Sequence, residues 1–205
     1  AGLHYAAERG LGIVIMEPLL GGKLGKAPEF AQKLWDTAPI KRTAAEWALQ
    51  WVWNHPEVSV ALSGMSAMAQ VEENIVSAGR SQPGALTADE LALVERVRDG
   101  YNALCAAPCT GCRYCMPCPN GVDIPRTFSQ LNNGLMFGLD EGRRGYARLM
   151  PDQSPTILAS SCIQCRECED KCPQNIPISD WMPYAHEVLG EGKDYDPAVC
   201  ARFGK

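Results

Sequence analysis

Eight of the chain's ten cysteines fall into two groups of four, and no other feature restricts the fold as tightly. The first group reads Cys109-Thr-Gly-Cys112-Arg-Tyr-Cys115-Met-Pro-Cys118-Pro119. The second, 53 positions on, reads Cys162-Ile-Gln-Cys165-Arg-Glu-Cys168-Glu-Asp-Lys-Cys172-Pro173. Four thiols within ten or eleven residues are unlike a disulfide framework, whose cysteines are dispersed along the chain. They require a shared partner and a backbone that bends sharply enough to aim all of them at it.

The second group has the form C-x2-C-x2-C-x3-C-P and resembles the ligand run of bacterial [4Fe–4S] ferredoxins. Three thiolates at that spacing wrap one corner of a cubane while backbone amides point at its sulfurs. The first group is one residue short before its last cysteine. Structural zinc is the competing reading, but such sites take two cysteine pairs separated by a dozen or more residues. Cys105 and Cys200 stand outside both patterns and read as small packing residues. Ligand thiolates must stay reduced, so a cytoplasmic setting in an anaerobe is expected.

Between the groups lie 43 residues, Pro119 to Ser161, more than a compact β-type ferredoxin needs. A helix is expected over Pro125 to Leu135, and each group leads into a proline-started helix, near Ile124-Pro125 and Ile176-Pro177. No strand pattern appears after about residue 105. Residues 105–205 therefore resemble the all-α two-cluster ferredoxin domain attached to larger redox enzymes. By that resemblance each fourth cysteine serves the other group's cluster. Cys109, Cys112, Cys115 and Cys172 then hold one [4Fe–4S] cluster, and Cys162, Cys165, Cys168 and Cys118 the other. The implied partner is a redox protein or a low-potential electron carrier.

Residues 1–104 alternate helix and strand. Ala1 to Arg9 is helical up to Gly10, so a start upstream of Ala1 is expected. Gly12-Ile-Val-Ile-Met-Glu17 and Val58 to Leu62 are β-branched runs of the kind buried in a parallel sheet. Thr43-Ala-Ala-Glu46 and Thr87-Ala-Asp-Glu90 are capping boxes, and Ser66 is the expected cap of the helix between them. Expected buried faces are Ala44, Trp47, Ala48 and Trp51; Val71, Ile75 and Ala78; and Val94, Val97, Tyr101 and Leu104. Two strands cannot cover both faces of a parallel sheet, so this half reads as part of something larger.

Ile13-Val-Ile-Met-Glu-Pro-Leu-Leu-Gly-Gly-Lys-Leu24, together with Leu62-Ser-Gly-Met-Ser66 and Gln70-Val-Glu-Glu-Asn74-Ile75, resembles the last two strands and cofactor loops of an aldo/keto reductase. The resemblance implies an α/β segment of a (β/α)8 barrel, its last two βα units, over residues 1–104. It implies that Gly21, Gly22 and Lys23 approach a dinucleotide pyrophosphate and that Gln70 and Asn74 face the adenosine. Without it, the glycines are a plain turn and the two amides a solvated face. Gly64 and Met65 replace the cations that grip a 2′-phosphate, so the implied cofactor of the intact protein is NAD(H). Met16 and Glu17 also depart from the family, which has an aromatic residue and a small hydroxyl there. A small carbonyl or alcohol is the implied substrate. No catalytic residue is assigned, because the family's tyrosine, lysine and aspartate lie on earlier strands and a full barrel takes about 250 residues. His4, His55 and His186 read as surface or capping residues without partners.

The expectation is thus an iron–sulfur oxidoreductase fragment: a partial barrel followed by a helical two-cluster domain. The alternative is a freestanding ferredoxin-like electron carrier whose α/β segment is a docking surface. A net charge of −5 argues against nucleic acid, which requires a basic excess, and Arg143-Arg144 reads as a solvated turn. The longest apolar run, Gly12 to Leu20, contains Glu17 and Pro18 and falls far short of the ~20 residues of a membrane span.

Overall fold

The opening helix α1 (Gly2–Ala7) stops before Gly10, which turns left-handed at φ 68°. The computed structural model describes residues 2–149, 157–200 and 203, and the chain divides into two units, Ala1–Gly100 and Tyr101–Lys205. In the first unit β1 (Val14–Ile15) pairs in parallel with β2 (Val60–Ala61), Val14 opposite Val60. A parallel pair needs a long crossover, supplied here by α2 (Glu29–Trp35) and α3 (Ala44–Trp53). The sheet is confined to those four residues, shorter than the two runs expected as strands. Glu17 and Leu20 swing into left-handed φ of 51° and 49° just after β1, and neither strand has a further neighbour among the described residues. The unit is mostly helical, and a barrel segment is not shown.

Its core is built around Trp35 and Trp47, stacked with centroids 4.8 Å apart, with the Arg42 guanidinium 4.5 Å above the Trp47 ring. The buried face of α3 differs from the one expected: Trp47, Leu49 and Val52 are inside, while Trp51 is 43% exposed and meets His55 edge-on. On α4 (Met68–Ala78) Ile75 is 65% exposed and Ser77 is the buried residue, because the contact with α3 is polar: Gln50 Nε2 donates to the Ser77 carbonyl at 2.8 Å. The Thr87–Glu90 box forms in both directions at the start of α5 (Ala88–Ala103). At Thr43 only half forms: its Oγ1 accepts from Glu46 N–H, while the Glu46 carboxylate pairs with Arg80.

The second unit contains α6 (Ile124–Phe137), α7 (Leu139–Ala147), a 3-10 turn (Ala159–Ser161), α8 (Ile178–Leu189) and α9 (Pro197–Cys200), and no strand among the described residues. Asp123 caps α6 by accepting from Arg126 N–H, and Pro125 sits in the first turn, where its missing N–H costs nothing. Pro177 is instead the N-cap of α8. Helices α6 and α7 cross closely because Gly142 and Gly134 meet backbone to backbone. A Cβ on Gly142 would lie 2.6 Å from the Gln130 carbonyl and 2.7 Å from Gly134 Cα. Arg143, expected in a turn, lies on α7 and donates to the Val188, Gly192 and Lys193 carbonyls, closing the end of α8.

Phe128, Leu131, Tyr146, Trp181, Met182 and Val188 form the heart of this unit. The Tyr146 hydroxyl accepts from Ala159 N–H at 2.8 Å and lies 3.0 Å from His186 Nδ1, and burial pushes its pKa up to about 12. All three histidines have partners after all: His4 meets Glu57, and His55 Nδ1 lies 2.9 Å from the Trp51 carbonyl. No helix among the described residues is long and apolar enough to cross a membrane.

Candidate metal centre

The sequence repeat is also a repeat of backbone conformation. Between the first three cysteines of each group the chain enters the left-handed region at matching places: Gly111 (φ 69°) and Arg113 (φ 65°), then Gln164 (φ 57°) and Arg166 (φ 67°). Past the fourth cysteine the same happens at Gly121 (φ 77°) and Asn175 (φ 51°). A bulky side chain in this region is strained, and such strain is held only where the surroundings impose it. Alternating turns of this hand point successive N–H groups toward one side, forming a concave cradle for negative charge. The Gln164 N–H already donates to the Cys162 sulfur at 3.4 Å.

The bends aim the thiols into two open cavities. One is lined by Cys109, Cys112, Cys115 and Cys172. The other is lined by Cys118, Cys162, Cys165 and Cys168, with Cys115 also at its edge. Each group of three thus shares a cavity with the fourth cysteine of the other group. Cys115, Ile124 and Ile178 border both spaces, so one layer of side chains separates them.

Burial pushes the Cys109, Cys115 and Cys162 thiols up in pKa, and neighbouring thiols raise them further; for Cys115 these are Cys109, Cys172 and Cys112. Cys168 is pushed up to about 11, again by burial. Soft donors held this way release protons only to a strongly bound metal. Structural zinc takes four sulfur or nitrogen donors around one ion, whereas here the grouped thiols are divided between two cavities. Eight thiols ringing two cavities, with amides turned inward, fit polynuclear clusters in both donor chemistry and shape.

A clamp that sequence reading missed fixes the second cysteine loop to α8. Pro183 lies within α8 and has no N–H for the carbonyl of Ser179, one turn earlier. Gln164 Nε2 donates to that carbonyl at 3.1 Å, and the Ser179 N–H donates to Glu169 Oε1 at 2.8 Å. The readable signal was a proline in mid-helix, which always leaves a carbonyl to be satisfied elsewhere.

The expected nucleotide contacts lie in the first unit. Gly21 and Gly22 take left-handed φ of 64° and 89° before the 3-10 turn Lys23–Gly25. The Gln70 amide oxygen accepts from the N–H groups of Ser66 and Ala67, so Ala67, not Ser66, is the N-cap of α4. Asn74 Nδ2 donates to Ser63 Oγ at 3.3 Å. Cys105 donates to the Ala107 carbonyl and lines neither cavity, and the side chain of Cys200 lies outside what the structure describes.

No curated protein and no solved structure matches the chain. Residues 108–176 match the family model of the 4Fe-4S dicluster domain, a stretch that begins just before Cys109 and holds all eight grouped cysteines. The match does not reach residues 1–104. Residues 108–176 therefore carry a ferredoxin-type 4Fe–4S dicluster domain.

Proposed function

We propose that the chain holds two [4Fe–4S] clusters with crossed ligation and passes single electrons through them to an external redox partner. The observation that carries this is the sharing of each cavity between three cysteines of one group and the fourth of the other. When bound, such clusters take up and release one electron each. The chain's own residues supply the rest. The eight thiolates bind, and the left-handed turns aim N–H groups at the cradles. Ile124 and Ile178, both buried, keep water from the wall between the two cavities. Cys112 and Cys165 lie at the surface, flanked by Tyr114 and Ile163, which are 66% and 67% exposed. These apolar edges are where a redox partner would approach each cluster. Anaerobic purification tests the reading: eight irons and eight sulfides per chain, with a brown colour bleached by dithionite, are expected. Colourless protein with stoichiometric zinc would overturn it.

In the wider reading the electrons connect to a nicotinamide-dependent, aldo/keto reductase-like site. The intact protein would use NAD(H) at Gly21, Gly22, Lys23, Gln70 and Asn74 and a small carbonyl or alcohol as substrate. The parallel β1–β2 pair, followed by a left-handed glycine turn, supports this reading, as do the exposed Val14, Met16, Val60 and Leu62, an apolar face of the kind a larger sheet would cover. Nucleotide titration of the intact protein tests it: NADH binding is expected, no binding of either nucleotide would refute the reading, and NADPH binding at least tenfold tighter would refute the choice of NAD(H).

A further inference from the structure

The two cysteine loops are alike in backbone but not in what packs beneath them. Aligning Ile124 with Ile178, the residues that border both cavities, places Pro125 of α6 opposite Ser179 of α8. Pro125 lines the cavity of Cys109, Cys112, Cys115 and Cys172; it has no hydroxyl and no N–H. Ser179 lines the cavity of Cys118, Cys162, Cys165 and Cys168.

Ser179 is 1% exposed, and its Oγ is buried without a hydrogen-bond partner. A buried hydroxyl left unpaired is costly, and native proteins rarely keep one without use. Its backbone cannot drift, because Gln164 and Glu169 hold its carbonyl and N–H from the cysteine loop itself. The Cys168 thiol lines the same cavity as Ser179 and lies next to Glu169, which holds the Ser179 N–H.

We propose that Ser179 is a potential-setting residue: its hydroxyl donates to the Cys168 sulfur once that sulfur is a cluster ligand, and selectively raises the reduction potential of that cluster. An O–H donor strengthens its bond as negative charge accumulates on the acceptor, so it favours the form that has gained an electron. At the corresponding place beside the other cavity stands Pro125, which has no hydroxyl to donate. The hydroxyl also offsets the acidic Glu167, Glu169 and Asp170 of its own loop, which the first loop lacks.

This inference rests on the two-cluster reading, and the experiment separates the two. The full chain is loaded anaerobically, its iron and sulfide are counted, and it is titrated with dithionite under EPR. In Ser179→Ala with eight irons, one midpoint falls by about tenfold in reduction equilibrium, ~59 mV for one electron, and the other stays. The isosteric pair Ser179→Thr and Ser179→Val differs in the hydroxyl, so Thr keeps the wild-type midpoint and Val shows the fall. This pair gives the comparison if the alanine variant loads incompletely. Fully loaded variants with both midpoints unmoved, or both moved alike, overturn the role of Ser179 and leave the two-cluster reading standing. A wild-type chain that takes up no clusters overturns both.

Discussion

Removing the Gln164 side-chain donor should loosen one cluster, and restoring a backbone donor should cancel the effect. Pro183 orphans the Ser179 carbonyl, and Gln164 Nε2 at 3.1 Å is its substitute partner. Ser179 is fully buried, so Gln164→Met leaves a carbonyl away from water, which costs about 1–2 kcal/mol. That loss falls on the loop carrying Cys162, Cys165 and Cys168, and increases its open population roughly 5- to 30-fold. In a Pro183→Ala background, the residue 183 N–H can reach the Ser179 carbonyl by the ordinary helical bond. There Gln164→Met should cost less than about 0.5 kcal/mol, a coupling of roughly 1 kcal/mol between the two sites. The assay is the rate at which the loaded chain bleaches in the presence of an iron chelator, compared across the four proteins of the cycle. Half of the colour should be lost faster in Gln164→Met, and this acceleration should vanish in the double variant. Equal acceleration in both backgrounds would refute the reasoning, since it would mean that Gln164 does not stand in for the missing amide.

Two further outcomes follow from the packing and the charges. Gly142→Ala gains about 1 kcal/mol of helix propensity but forces backbone against backbone where α6 and α7 cross; overpacking of this kind costs about 1–3 kcal/mol, so thermal unfolding should shift down, whereas Gly64→Ala, with open space around it, should not shift it. Burial pushes the Glu90 carboxyl up, but the Thr87 N–H and the Arg42 guanidinium outweigh it and leave its pKa lowered; the stability it contributes is therefore full above the ordinary glutamate pKa of about 4.3 and lost as pH falls through the folded value, so the melting difference between wild type and Glu90→Gln should shrink below pH ~4.

What the sequence revealed depends on how local the signal was. The proline-started helix after Cys118 was readable, because its signal lies within a few residues of the cysteine run. The Thr87–Glu90 box was readable for the same reason, and α6 runs only slightly beyond the expected Pro125–Leu135. Which face of a helix is buried is a tertiary property: Trp51 fits the apolar stripe of α3, yet the packing of Trp47 on Trp35 turns it outward. Ile75 is exposed because α4 meets α3 through Gln50 and Ser77, which a hydrophobic pattern cannot anticipate. The Gln164–Ser179–Glu169 clamp joins residues ten to fifteen positions apart through side chains, and only Pro183 hinted at it. Arg143 shows the same limit: a basic pair reads as a solvated surface until the carbonyls at the end of α8 are seen beside it.

The crossing of ligands between the two cysteine groups is tested most directly by replacing Cys172 with Ala and mapping which cysteines become open to alkylation. In the loaded wild-type chain all eight grouped cysteines should be protected. In Cys172→Ala, the account predicts labelling of Cys109, Cys112 and Cys115, with Cys118, Cys162, Cys165 and Cys168 still protected. Labelling of Cys162, Cys165 and Cys168, with Cys109, Cys112 and Cys115 protected, would contradict it.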